Sequence, residues 1–294
     1  MTTATNTWPD YELLDFGGGR KLERFGEHIF DRPSPAAADV RASQSKWQAD
    51  ARYTGAKVGD GTWKGKLPAT PKSLAGAMVE IPATADAKFR MQLELSPAGQ
   101  VGLFPEQFAN WQWIAKQTAR VRRPLRVLNL FAYTGGSTLA AAIAGAEVTH
   151  VDASKPSVAI ARTNAELSNL AEAPIRWIVE DVVRYCQREV KRNRQYDAVI
   201  LDPPSYGHGP KREEWKLARD LPTLLDLCGQ LTQRSPTFLL ATCHTPGIGP
   251  AELSAYLSDG IVGHCGQPPA SGRLWLATAD SQKLESGAYA RWPK

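Results

Sequence analysis

Cysteine is scarce in this chain of 294 residues: Cys186, Cys228, Cys243 and Cys265 stand far apart, with no C-x-x-C pair among them. That spacing excludes a zinc knuckle and a disulfide framework, and no metal site is expected. Long apolar runs are missing as well, and Met1-Thr2-Thr3-Ala4-Thr5-Asn6 lacks a basic segment leading into an apolar one. No membrane span or secretion signal is therefore expected, and a reduced cytoplasm is the compartment implied. Charge of one sign hardly dominates: 35 Lys and Arg against 30 Asp and Glu leave +5, which permits a nucleic acid partner without demanding one. The dinucleotide fingerprint G-x-G-x-x-G is absent too. The glycines of Gly135-Gly136 are adjacent, and Tyr133 and Leu139 fill the flanking slots, which disfavours an NAD dehydrogenase. What the chain does have is 43% apolar residues, ample for a packed core.

The apolar run from Val127 to Ala132 reads as a buried parallel strand feeding Tyr133-Thr134-Gly135-Gly136-Ser137-Thr138, after which a helix begins. Glycines there allow backbone to approach a ligand at a helix N-terminus. Val148 to Val151 forms a second strand ending at Asp152, Ile175 to Val179 a third ending at Glu180-Asp181, and Tyr196 to Leu201 a fourth ending at Asp202-Pro203-Pro204-Ser205-Tyr206. Each acid alone could be a helix cap or a turn former. Together they mark the carboxyl edge of an α/β sheet, where such sheets bind ligands. The fold class expected is a Rossmann-like, doubly wound, mostly parallel sheet over 101–294, with a small β-rich appendage over 1–100. In the appendage Tyr11 to Phe16, Lys21 to Phe25 and His28 to Asp31 alternate like strands around a Gly17-Gly18-Gly19 turn. Glu106 to Ala119 has helical spacing.

On these motifs the chain resembles the class I S-adenosylmethionine-dependent methyltransferases, and within them the bacterial large-subunit rRNA 5-methylcytosine branch, without the PUA domain of that branch. Asp202-Pro203-Pro204-Ser205-Tyr206 carries the resemblance most specifically. Gly102-Leu103-Phe104-Pro105-Glu106-Gln107 is similar to a G-x-F-x-D-Q segment that the family places over the cofactor, with Pro105-Glu106 in place of Leu-Asp. The resemblance implies S-adenosylmethionine as cofactor. It implies a binding set of Phe104, Gln107, Asn129, Phe131, Tyr133, Thr134, Gly135, Gly136, Ser137, Asp152, Ala153, Ser154, Glu180, Asp181 and Asp202. The helix N-terminus would meet the methionine carboxylate, Asp152 the ribose hydroxyls, and Asp181 the adenine amino group, with Glu180 the weaker candidate. Asp202 would sit beside the transferable methyl, with Pro203, Pro204 and Tyr206 as a rim for an extruded base.

Cys243 ends a fifth strand, Phe238 to Thr242, and Thr242-Cys243 resembles the Thr-Cys or Ser-Cys that carries the nucleophile in 5-methylcytosine enzymes. Methylating the cytosine 5-carbon needs a thiolate. The alternatives are a core thiol with transfer to a nitrogen or oxygen, or a module that binds the cofactor without turnover. The direction of His244 stays open.

RNA, with ribosomal RNA favoured, is the partner expected. Arg41, Lys46, Arg52, Lys57, Lys64, Lys66 and Lys72 face only Asp50 and Asp60, interleaved with Trp47, Tyr53 and Trp63. That composition suits base stacking among phosphate contacts, and equally suits aromatics plugged into a core. The Gly207 to Lys216 loop reads as a lid, with Lys211 and Arg212 toward phosphate and Trp215 as its anchor. Oligomeric state is left open, a homodimer included.

Overall fold

The computed structural model describes residues 8–43, 46–55, 59–67, 74, 76–208, 214–263 and 267–293. The chain forms two compact units. The first comprises 1–82, 90–106 and 275–285, and the second 83–89, 107–274 and 286–294. A single break at residue 100 is thus not where the chain divides, because segments distant in sequence complete each unit.

In the first unit β1 (Tyr11–Gly17), β2 (Arg20–Phe25), β3 (His28–Pro33), β4 (Ala51–Tyr53) and β5 (Trp63–Gly65) form a sheet in that order. Gly18 and Gly19 turn β1 into β2 at φ 57 and 76, the left-handed pair that a two-residue hairpin requires. Its apolar side packs Phe25, Phe30, Tyr53 and Trp63, with the Phe30 and Trp63 rings edge to face at 6.0 Å. Tyr53 and Trp63 are therefore core, at 0% and 5% exposure, and not a stacking platform for bases. Their polar atoms are also spent, Tyr53 Oη donating to Pro97 O and Trp63 Nε1 to Ser96 O. Trp47 Nε1 donates to Asp15 at 2.8 Å. Of the cations, Arg41, Lys46, Lys64 and Lys66 are exposed and Arg52 pairs with Asp31, while Lys57 and Lys72 lie outside the described residues.

The same unit buries a charged cluster. Glu23, fully buried, accepts from Arg32 Nε at 2.6 Å and from Tyr11 Oη at 3.0 Å, and pairs with Lys21 Nζ at 3.0 Å. Burial pushes the Glu23 carboxyl up, but the Arg32 guanidinium and Lys21 ammonium outweigh it and hold its pKa at about 2. Arg32 Nη1 also donates to Gln100, at 2.8 Å.

β6 (Met78–Pro82) and β7 (Lys88–Gln92) form a separate two-stranded pair. A short 3-10 turn at Pro105–Gln107, whose last residue opens the long segment of the second unit, leads into α1 (Phe108–Ala119), where sequence periodicity predicts one helix from Glu106. There follow β8 (Arg126–Leu130), α2 (Gly136–Ile143), β9 (Glu147–Asp152), α3 (Lys155–Leu167), β10 (Ile175–Val179), α4 (Val182–Lys191) and β11 (Ala198–Leu201). A hairpin of β12 (Tyr206–His208) and β13 (Glu214–Lys216) comes next, then α5 (Leu217–Leu231), β14 (Phe238–Cys243), α6 (Pro250–Leu257), β15 (Ala270–Ala277) and β16 (Lys283–Trp292).

The large sheet has the order β10-β9-β8-β11-β14-β16-β15, parallel from β10 through β14, with β16 antiparallel to β14. β11 and β14 are buried along their whole length, as strands covered by helices on both faces are. Leu128, Val199, Leu239, Ala241 and Cys243 belong to one apolar layer with α4, α5 and α6. The sequence neighbours of β8 in the sheet part at β8 and β11, so the chain's order reverses there, and ligands bind at the carboxyl edge of such a switch point. Cys186, Cys228 and Cys243 are buried and unbridged, and Cys265 lies outside the described residues. No helix among the described residues is long and apolar enough to cross a membrane.

Candidate active site at the carboxyl edge of the sheet

The segment after β8 is shaped before any ligand arrives. Phe131, Tyr133 and Gly135 all take left-handed backbone, at φ 56, 49 and 97, which for the two aromatic residues is a strained conformation. Four hydrogen bonds hold it: Ala132 N–H to Val151 O, Gly135 N–H to Ala132 O, Tyr133 N–H to Asp152 Oδ2 at 2.8 Å, and the buried Asn164 Nδ2 to Thr134 O at 2.9 Å. The Phe131 ring packs on Trp215 with centroids 4.9 Å apart. Gly135 caps α2 without a side-chain acceptor, so the first N–H groups of the helix stand open at its positive end.

Beneath the loop, Asn129 Nδ2 donates to Thr138 Oγ1 at 2.9 Å, and Thr138 Oγ1 meets His150 Nδ1 at 2.9 Å. All three side chains are buried. Burial drives the His150 pKa down to about 3, so the ring is neutral near pH 7 and serves as scaffold. Asn129 is thus spent in supporting the loop. Thr138 and His150 went unread in the sequence, where a histidine inside an apolar strand was the available signal.

Gly136 shows how tight the loop is: a Cβ there would fall 2.7 Å from Trp111, whose ring is itself buried against Phe89. Gly136→Ala is expected to displace the start of α2, costing about 1–3 kcal/mol of stability. Calorimetric titration with S-adenosylhomocysteine, read beside the melting temperature, checks it, and unchanged affinity would contradict a ligand at this helix end.

Asp152 ends β9 with Oδ2 on Tyr133 N–H and Oδ1 on Ser154 N–H, both at 2.8 Å. Burial raises its pKa against those two donors. Ala153 follows, and Ser154 caps α3 by accepting from Ser157 N–H. Asp181 caps α4, accepting from Arg184 N–H at 2.9 Å, and Glu180 is held by Arg188 at 2.8 Å. Beside them Val179 is 43% exposed, an apolar surface that strand reading did not single out.

At the end of β11, Asp202 accepts from Thr242 Oγ1 at 2.6 Å and from Gln107 Nε2 at 3.2 Å, with His244 Nε2 at 3.5 Å. Burial pushes its carboxyl up, and His244, Thr242 and Gln107 more than offset this and hold it low. Pro203 is buried and Tyr206 is 52% exposed on β12. Trp215, 5% exposed, donates from Nε1 to Pro204 O at 2.7 Å, which is the anchor expected of it. Gly209 to Glu213, with Lys211 and Arg212, lie outside the described residues.

Cys243 lies on the core side, as in the core-thiol alternative. Thr242 and His244 face Asp202, and because successive strand side chains alternate, Cys243 faces the other way, into the apolar layer with α5 and α6 at 1% exposure. Its Sγ accepts from Thr245 N–H at 3.4 Å. Of the binding set, Phe104 belongs to the first unit and all the others to the second.

A family model described as S-adenosylmethionine-dependent methyltransferase matches residues 64–258. The chain belongs to that family. Among curated relatives, the ribosomal RNA large subunit methyltransferase I of Aeromonas salmonicida is 32% identical over 118 residues, covering 40% of this chain and 29% of that protein. The ribosomal RNA large subunit methyltransferase K/L of Shewanella oneidensis is 32% identical over 143 residues, covering 48% of this chain and 19% of that protein. The match thus spans less than a third of those relatives' length. The crystal structure of a methyltransferase from Agrobacterium tumefaciens superposes with TM-score 0.84 at 34% identity, covering 99% of this chain and 92% of that one.

The methyltransferase uses S-adenosylmethionine, and the carboxyl edge of its sheet fits that molecule. The open N–H groups of α2 suit a carboxylate. Each Asp152 oxygen, though it takes one backbone N–H, has a further lone pair for a ribose hydroxyl. Exposed Val179 offers an apolar face to a flat ring.

Proposed function

We propose that this methyltransferase transfers the methyl group to a base of structured RNA, with ribosomal RNA the substrate class. The reading rests on the ionised Asp202 being followed directly by the Pro203-Pro204 rim and by Tyr206, which is 52% exposed and whose aromatic face suits stacking on an extruded base. The names of the curated relatives support the same class. The exposed Arg41, Lys46, Lys64 and Lys66 of the first unit offer cations suited to phosphate, with Tyr53 and Trp63 taken up by the core. In this reading the helix end, Asp152 and Asp181 hold the cofactor, and Asp202 lies nearest its sulfonium, where a fixed negative charge orients the donor. Incubation with radiolabelled methyl donor and bulk RNA from cells lacking the protein tests it. Label is expected in RNA; label only in a protein or metabolite pool would refute it.

The acceptor that fits the geometry best is a base nitrogen that brings its own lone pair as nucleophile, because the Cys243 thiol faces the core. A second reading, transfer to the cytosine 5-carbon, is favoured by the hydrogen bond that Cys243 Sγ accepts from Thr245 N–H. In that chemistry the thiolate adds to the 6-carbon, the 5-carbon attacks the methyl, a base removes the 5-proton and the thiol is eliminated. Cys243→Ala is expected to keep RNA methylation. A loss on the order of 10³-fold or more with unchanged S-adenosylhomocysteine binding would instead establish the thiolate route.

A further inference from the structure

Asp202 is reached by a line of hydrogen bonds whose direction is fixed at its far end. Arg291 on β16 is donor-only, as every guanidinium is. Its Nε donates to Asn110 Oδ1 at 2.8 Å, and Nη2 donates to the same oxygen. The Arg291 head lies over two rings, 5.4 Å from the Trp113 centroid and 4.5 Å from that of Tyr289. With Oδ1 claimed, Asn110 turns Nδ2 to Gln107 Oε1. Gln107 must then present Nε2 on its other side, where it reaches Asp202 Oδ2 and Thr242 Oγ1, each at 3.2 Å. Thr242 Oγ1, accepting there, turns its own proton to Asp202 Oδ1. Asn110, Gln107 and Thr242 are all buried, so water does not scramble the sense of the chain.

We infer that Arg291 and Asn110 are positioning residues for methyl transfer: they set the orientation of the Gln107 amide, so that Asp202 is met only by donors. An amide side chain can turn end for end at little cost when both ends find partners, and a flipped Gln107 would aim an oxygen at a carboxylate. The donor-only head forbids that. The inference rests on the reading of Asp202 as the group beside the transferable methyl. The groups that bear on the charge of Asp202 are His244 in contact with it, Gln107 and Thr242 as neutral donors, and Arg291 at the far end of the chain.

Asn110→Asp is the sharpest test. It keeps the Arg291 pair and the shape of the side chain but gives Gln107 Oε1 no donor, so Gln107 turns and withdraws its N–H from Asp202. Carboxyl carbon-13 titration of the purified protein, with the Asp202 signal identified through Asp202→Asn, is expected to show the Asp202 midpoint shifted upward. Asn110→Leu, which also removes the N–H and adds no charge, should shift it the same way. In a Gln107→Leu background, adding Asn110→Asp should produce no further shift, since the amide it acts through is gone. An unmoved midpoint in either folded single variant overturns the inference, and so does an additive shift in the double variant. S-adenosylhomocysteine affinity, measured alongside, should fall about tenfold in Asn110→Asp. A moved midpoint with unchanged cofactor affinity and unchanged pH profile of turnover would leave the hydrogen-bond chain standing but remove Asp202 from the methyl site.

Discussion

An Asp152→Ala enzyme should bind S-adenosylhomocysteine at least about 100-fold more weakly, a loss of about 2.7 kcal/mol. Two effects combine. On the proposed reading the ribose hydroxyls would lose their acceptor, and Tyr133 N–H and Ser154 N–H would each lose a charged acceptor now at 2.8 Å. A hydrogen bond to a charged group contributes roughly 1.5–3 kcal/mol, so losing even one accounts for most of the figure. The Tyr133 bond also pins a residue in left-handed backbone, and without it the loop is free to relax away from the shape proposed to receive the cofactor. Because burial raises the Asp152 pKa, acid should weaken cofactor binding at a higher pH than an ordinary carboxylate would. Calorimetry across pH 4 to 8 measures both effects. A dissociation constant within threefold of wild type would remove Asp152 from the ribose site.

Glu23→Ala should be the most destabilising single change in the first unit, at about 3–5 kcal/mol, because it leaves Arg32 and Lys21 buried without their counter-charge. The pH dependence has a definite sign. The folded pKa of about 2 lies below the ordinary value of 4.5, so this contribution is complete above about pH 4.5 and is lost as pH falls toward 2. Denaturant unfolding at neutral pH and near pH 3 should show the gap between wild type and variant narrowing in acid. A pair of apolar replacements, Glu23→Leu with Arg32→Met, should recover part of the loss, since a buried ion pair is costly to break and cheap to replace. A loss under 1 kcal/mol in the single variant would mean that the cluster is hydrated.

The carboxyl edge of the sheet was legible because its signals are local. An apolar run followed by a polar residue marks a strand end wherever the run goes, and Asp152, Asp181 and Asp202 all stand at such ends. Side choice within a strand was not legible. In Ala51-Arg52-Tyr53 the alternation that points Arg52 outward points Tyr53 inward, so the interleaving that looked like an RNA surface is how a strand sorts cations from core. Thr242-Cys243-His244 poses the same ambiguity, and only the placement of Asp202 decides that the threonine and histidine face the site. The supports of the loop, Asn129, Thr138 and His150, were hidden for another reason: their partnership links a strand, a helix and a second strand, and no spacing in the chain announces it.

The strands β15 and β16 carry a further consequence. Leu276 and Leu284 complete an apolar cluster with Leu13, Phe16 and Ala37 in the first unit, while Trp292, Arg291, Ala290, Tyr289 and Ala288 pair with β14 in the second. A fragment ended by protease near residue 270 would be wounded in both units at once. One terminal strand pair therefore serves both units, and neither is complete without it.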